Sequence, residues 1–307
     1  MPLIIEKKQI KEWLIELKKD FKVVNVKNSI LPPKEYFFPP QEDIFVFDKK
    51  TKNLSSLDYR KQLLVFGLSL NNLEGIKQLD EIMSKPQSDF FYWQRRENSV
   101  LVGLTDNSVE VTSAGDLILE KINQKQYQVL VLTDKGKKLA QSKFFKEIKD
   151  PKIKKYPQKE NPFKKMLLDS EVLAEAVEWS WGVNHKVWDE LAQKCLGCGI
   201  CTYVCPLCHC FSMKDRVSLD NKKCVRCRQW DACTLPSFSK VAGGHNFHKT
   251  IKERYYNWFY HKFVRSYREY GKPQCVACGN CKEYCPAGIK MGEVLKEVIE
   301  DYKKFKK

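Results

Sequence analysis

Thirteen cysteines occur in this 307-residue chain, and none of them falls in the first 194 residues. Long apolar runs are also missing: no stretch approaches the roughly 18 residues that cross a bilayer as a helix. The opening, MPLIIEKKQIKEWLIEL, sets charges among its apolar residues at helical spacing, which a signal peptide does not do. No GxGxxG or Walker A run is present, so the chain carries no nucleotide fingerprint. These absences exclude a membrane-spanning helix and place the chain in the cytoplasm. Thiols stay reduced there, so thirteen cysteines, an odd number, read as metal ligands before disulfides.

The composition is that of an ordinary folded protein, 43% hydrophobic and 30% charged, and the length allows two domains. Residues 3–19 carry Leu3, Ile4, Ile10, Trp13, Leu14 and Leu17 at a spacing that predicts an amphipathic helix. VVNV, DIFVF and QLLVFGL read as strands, the second following the four prolines of LPPKEYFFPP. NLEGIKQLDEIMS predicts a helix and SVLVGL another strand, a βαβ unit. YQVLVL followed by TDKGKKLAQSKFFKEI repeats the order, with Thr133 as N-cap. Residues 1–148 are thus expected to form a cysteine-free α/β domain serving as scaffold and docking surface. Residues 149–166, rich in Lys and Pro, read as a linker. Residues 167–307 form a largely helical second domain, making the fold α+β. Ser170 and Asn184 are expected to cap two helices that deliver the chain to Cys195. Residues 254–270, RYYNWFYHKFVRSYREY, predict a helix whose aromatics pack a core rather than stack bases.

All thirteen cysteines lie between Cys195 and Cys285. CLGCGICTYVCP places Cys195, Cys198, Cys201 and Cys205 before a proline, and CVACGNCKEYCP repeats the pattern with Cys275, Cys278, Cys281 and Cys285. CxxCxxCxxxCP is the ligand spacing of a bacterial ferredoxin-type [4Fe–4S] site. Three closely spaced thiolates wrap one cube and the fourth reaches across to a second. Crossed ligation then assigns Cys195, Cys198, Cys201 and Cys285 to one cluster and Cys275, Cys278, Cys281 and Cys205 to the other. Structural zinc, which takes separated CxxC knuckles, suits this pattern poorly. Gly197, Gly199, Ala277 and Gly279 are small enough for the backbone to approach a cube closely.

Between the runs stand Cys208 and Cys210, flanking His209, and Cys224, Cys227 and Cys233. Four of these five can hold a third cluster, with zinc as the alternative. The CxxCxxxxxC portion also occurs in cubane-bearing DNA glycosylases, but the fourth cysteine required upstream is here Val217. His209, His245 and His248 read as hydrogen-bonding neighbours, since thiols suffice.

A formal net charge of +16 raises the possibility of nucleic acid. Residues 195–285 hold 15 Lys and Arg against 6 Asp and Glu, and each oxidised cube on four thiolates carries about −2. The basic excess therefore reads first as compensation for cluster charge and as a docking face for acidic partners. A zinc- or cluster-bearing nucleic-acid module is the lesser reading. Arg226 and Arg228 are expected among the groups that tune cluster potentials.

The succession CxxCxxCxxxCP, CHCF, RQWDACTLPSFSKVAGGHN, RYYNWFYHKF and a second CxxCxxCxxxCP resembles the iron–sulfur β subunit of cytosolic [NiFe] sulfhydrogenases and the similar iron–sulfur subunit of anaerobic sulfite reductases. ILPPKEYFFPPQEDIFVF, LLVFGLSLNNLEGIKQLDEIM and DFFYWQRRENSVLVGL extend the resemblance over the amino-terminal half. It implies a subunit without catalytic residues that relays electrons. Its partners would be a flavoprotein NAD(P)-binding subunit together with the small and large subunits of a [NiFe] hydrogenase, or with a sirohaem sulfite reductase subunit. Family members often carry cysteine where this chain has GLSLNNLEG and VGLTDNSVE; a site served by those thiols is absent here.

Overall fold

The structure, a computed structural model, describes residues 2–27, 29–106, 114–148 and 161–307. Residues 107–113, within and after VGLTDNSVE, and 149–160 of the expected linker lie outside the described residues.

In chain order the elements begin with β1 (Leu3–Glu6), α1 (Ile10–Leu17) and β2 (Lys22–Asn25), then β3 (Gln41–Asp48) and β4 (Leu54–Ser56). They continue through β5 (Leu63–Leu68), α2 (Leu70–Ile82), α3 (Phe90–Glu97), β6 (Ser99–Thr105), β7 (Leu117–Lys121), β8 (Gln126–Val131), α4 (Asp134–Ala140) and β9 (Lys146–Glu147). The chain divides into two units, one of residues 1–38 and 58–160, the other of 39–57 and 161–307.

The first unit is a seven-stranded sheet in the order β2-β5-β6-β7-β8-β1-β9. Strands β2, β5, β6 and β7 run parallel; β8, β1 and β9 add antiparallel neighbours. The parallel strands β5 and β6 are buried along almost their whole length, as strands covered on both faces must be. The expected helix over 3–19 begins only at Ile10. Leu3–Glu6 instead pair with β8, where Ile4 and Ile5 become buried, a case of tertiary pairing overriding helical periodicity. Trp13 from α1 fills the core edge-on against Phe66 and Phe145. Thr133 caps α4 by accepting from the Gly136 N–H at 3.3 Å. That helix stops at Ala140, and Lys146–Glu147 return to the sheet beside β1.

The second unit adds α5 (Pro162–Met166), α6 (Ser170–Gly182), α7 (Val187–Lys194), α8 (Ile200–Tyr203), β10 (Phe211–Val217), β11 (Lys223–Trp230) and α9 (Ile251–Phe259). A π-helical turn at Tyr260–Arg265 leads into α10 (Ser266–Tyr270), and α11 (Asn280–Glu283) and α12 (Met291–Phe305) complete it. Residues 162–166, read as linker, form the first helix, with the Asn161 side chain accepting from the Phe163 and Lys164 N–H groups. Ser170 is the first helical residue of α6, not its cap, and α7 begins at Val187, beyond Asn184. DIFVF belongs to this unit and not to the α/β unit. In β3 it forms the third strand of an antiparallel sheet ordered β10-β11-β3-β4. A buried ion pair fastens it: Arg228 Nε donates to Glu42 Oε1 at 2.6 Å, with side chains 7% and 1% exposed. The helical core gathers Trp188, Tyr255, Trp258, Phe259, Phe263, Leu295 and Val298. Tyr255, Tyr256, Trp258, Phe259 and Phe263 of the aromatic run are therefore buried, leaving Tyr260, Tyr267 and Tyr270 half-buried.

Candidate metal centre

Both cysteine runs fold the same way. In the first, α7 ends where Cys195 turns extended. Gly197 and Gly199 take left-handed conformations (φ 64° and 78°), and α8 makes one turn. In the second, Ala277 and Gly279 take the same conformations (φ 52° and 84°) ahead of one-turn α11. Such reversals aim backbone N–H groups into a concavity that suits negative charge. Gly197 N donates to Cys195 Sγ, Leu207 N to Cys205 Sγ and Ile289 N to Cys285 Sγ, each at 3.4 Å. The Ala277 N–H likewise bonds Cys275.

Helices α8 and α11 pack together, and Asn280 Nδ2 donates to the Val204 carbonyl at 3.0 Å. Two cavities flank this contact. One, of about 480 Å³, is lined by Cys205, Cys275, Cys278 and Cys281. Cys195, Cys198, Cys201 and Cys285 line the smaller one, and Trp258, Met291 and Cys281 reach the walls of both. In each cavity the last cysteine of one run stands with the first three of the other. Cys198 is exposed, while Cys205 is buried.

Burial dominates the chemistry of these thiols. It pushes Cys275 and Cys281 up to about 12, and Cys201 higher still. Lys262 opposes that rise at all three. Such thiols give up their protons only where a cation takes their place.

A model of the 4Fe-4S dicluster domain matches residues 194–289, the stretch that holds both runs and both sets of left-handed turns. Sulfhydrogenase 2 subunit beta of Pyrococcus furiosus is 32% identical over 293 residues, covering 89% of this chain and 84% of that one. The chain belongs to the sulfhydrogenase β-subunit family. It is an iron–sulfur electron-transfer protein, and its cofactors are [4Fe–4S] clusters. No solved structure matches it. Among the described residues no helix is long and apolar enough to cross a membrane.

The donor set of this family member fits such a group. The cavity walls offer sulfur from every predicted cysteine of the two runs. Trp258 Nε1 and Thr234 Oγ1 are buried there without a protein hydrogen-bond partner, and inorganic sulfide of a bound cluster would supply the acceptor they lack. The four cysteines of each cavity would hold one cube, which when bound supplies one-electron redox chemistry.

The central cysteines separate into two groups. Cys208 is hydrogen-bonded to Cys205 and Cys233 to Cys210, and Cys208 and Cys210 both act electrostatically on Cys233. Cys224 and Cys227 lie on β11, which pairs with β10 in continuous register from Val217↔Cys224 to Lys214↔Cys227. The pairing of β11 with β3 shifts register between Arg226 and Cys227, so the alternation of faces does not run unbroken from one cysteine to the other. Cys227 Sγ is turned to the Lys214 carbonyl at 3.3 Å. His209 bonds locally, its Nδ1 within 3.1 Å of Gln274 Nε2. His245 meets the Phe247 ring, and the His248 carbonyl accepts from Arg254.

Of the arginines expected to tune the clusters, Arg226 pairs with Asp215 at 2.7 Å while acting electrostatically on Cys224, and Arg228 pairs with Glu42. A cation bonded to sulfur of the cysteine runs is Lys262, whose Nζ lies 3.2 Å from Cys205 Sγ. A lysine inside an aromatic helix carries no sequence mark of this role; the nearest signal was its place on a face adjoining Trp258.

Proposed function

We propose that this chain carries two [4Fe–4S] clusters in crossed ligation, one on Cys195, Cys198, Cys201 and Cys285, the other on Cys205, Cys275, Cys278 and Cys281. It relays electrons between a flavin- and NAD(P)-binding partner and a [NiFe] hydrogenase-type catalytic subunit in the cytoplasm. The observation that carries the reading is the shared lining of the larger cavity by Cys205 and the first three cysteines of the second run. Neither run alone supplies four thiols to one space. Adjacent cavities sharing Trp258 and Cys281 as walls suit a short electron path. Kinship to a sulfhydrogenase β subunit favours a hydrogenase over a sulfite reductase as the terminal partner.

Cys208, Cys210 and Cys233 form the basis of a third centre, either a cluster or structural zinc. Its fourth ligand would come from β11, as Cys224 or Cys227. Iron, sulfide and zinc per chain, measured on anaerobically purified protein with low-temperature EPR after dithionite reduction, test the whole reading. About twelve irons are expected for three cubes, or about eight with one zinc for two cubes and a structural clamp. Zinc without iron overturns the relay.

A further inference from the structure

We propose that Lys262 holds the cluster on Cys205 at a higher reduction potential than the cluster on Cys195, by donating an N–H···S hydrogen bond to Cys205 and keeping a fixed positive charge beside it. The inference rests on the two-cluster reading above.

The Lys262 side chain is one of the most deeply buried cations in the molecule, 3% exposed. Its Nζ donates to Cys205 Sγ and to the Gln274 carbonyl, both at 3.2 Å, and sits 5.3 Å from the Trp258 ring centroid. No carboxylate among the described residues pairs with it. An ammonium removed from water is costly unless negative charge compensates it. Sulfur faces it instead: Nζ bonds Cys205, and Cys205, Cys275, Cys278 and Cys281 line the same cavity as Lys262. The site is thus matched to anionic sulfur, and an apolar or neutral guest would leave the lysine stranded.

At the other cavity Lys262 acts on Cys201 through charge alone, and a second cation there makes no bond to sulfur. Arg254 acts electrostatically on Cys195, but its N–H groups go to the carbonyls of Thr234, His248 and Lys249. It gives charge at a distance and no bond to sulfur. On reduction one electron enters the cube, one iron equivalent passes from ferric to ferrous, and no proton or bond is exchanged with the protein. The added negative charge spreads onto the ligand sulfurs. A direct N–H···S donor therefore stabilises the reduced form more than the oxidised one. Electrons arriving on either cluster then settle on the one beside Lys262.

The test is an EPR-monitored redox titration of the full chain with Lys262→Gln and Lys262→Arg beside the wild type, iron being counted on each. The expected result is a Lys262→Gln protein with unchanged iron in which the higher midpoint falls at least tenfold in equilibrium constant, 59 mV for one electron. The lower midpoint falls by less, since Lys262 reaches Cys201 through charge without a bond to it, and Lys262→Arg gives a smaller shift. Full iron with both midpoints unmoved, or both moved equally, overturns the inference and leaves the two-cluster reading standing. If Lys262→Gln fails to hold iron, pulsed EPR on reduced wild type labelled with 15Nζ-lysine decides. A resolved 15N coupling supports the proposal, and its absence overturns it. Wild-type chain holding zinc and no iron overturns the cluster reading, and this inference with it.

Discussion

At the scale of single residues, the site depends on backbone conformations that few side chains permit. Gly199 is left-handed, and a Cβ there would come within 2.9 Å of the Ala232 Cβ. Its counterpart Gly279 is also left-handed, but a Cβ would meet nothing within 4 Å. Gly199→Ala should therefore cost more than the roughly 1–2 kcal/mol of left-handed strain alone, because a packed neighbour must also move. Gly279→Ala should cost only that strain. Thermal melts and iron content of the two variants check this: the first is expected to melt lower and bind less iron than the second. Equal losses would mean that contact with Ala232 is unimportant. Ala277 already accepts the same strain that Gly197 avoids (φ 52° against 64°). The repeat keeps the turn, not the residue.

Among the elements, two depart from what their sequence suggests, and both shape the site. The aromatic segment is interrupted by the π-helical turn at Tyr260–Arg265, inside which Lys262, Phe263 and Val264 are all buried. Wide turns of this kind recur at functional sites. The second departure is β3, joined to β11 by the buried Arg228–Glu42 pair. Removing one partner of such a pair strands the other charge, at a cost of about 3–5 kcal/mol. Glu42→Met is expected to destabilise the second unit by that amount. Glu42→Met with Arg228→Met should recover most of the loss, since apolar replacements of similar volume leave no unpaired charge. Denaturant melts of the four proteins in the double-mutant cycle measure it. Additive losses would show that the two side chains act independently.

Taken as a whole molecule, the chain is more entangled than its cysteine distribution suggests. The two cysteine runs, their glycines and most strands of the α/β unit were legible, because ligand spacing and period-two or helical patterns are local properties. The assignment of 39–57 was not: DIFVF reads as a strand whichever sheet it joins, and its partner β11 lies almost two hundred residues onward. Lys262 was hidden for a related reason, since only the fold reveals that a charged side chain points inward. A fragment of residues 161–307 alone is therefore expected to aggregate or lose iron, lacking β3 and β4 and taking Glu42 away from Arg228. Fusing residues 39–57 to it through a flexible linker should restore soluble, iron-bearing protein, read by iron per chain. A fragment that loads fully without the graft would show the hairpin to be dispensable.

The same hairpin constrains how the protein comes off the ribosome. At about 5–20 residues per second, β3 emerges roughly 10–40 s before β11 exists to receive it. During that interval Ile44, Val46 and the buried carboxylate of Glu42 wait without their sheet. An unpaired strand edge is a site for mistaken association. Under the proposed crossed ligation, cluster insertion would be late as well, because Cys205 would wait for Cys275, Cys278 and Cys281. In that reading, maturation of this electron carrier would be a late assembly, with an early segment held in reserve until β11 has been made.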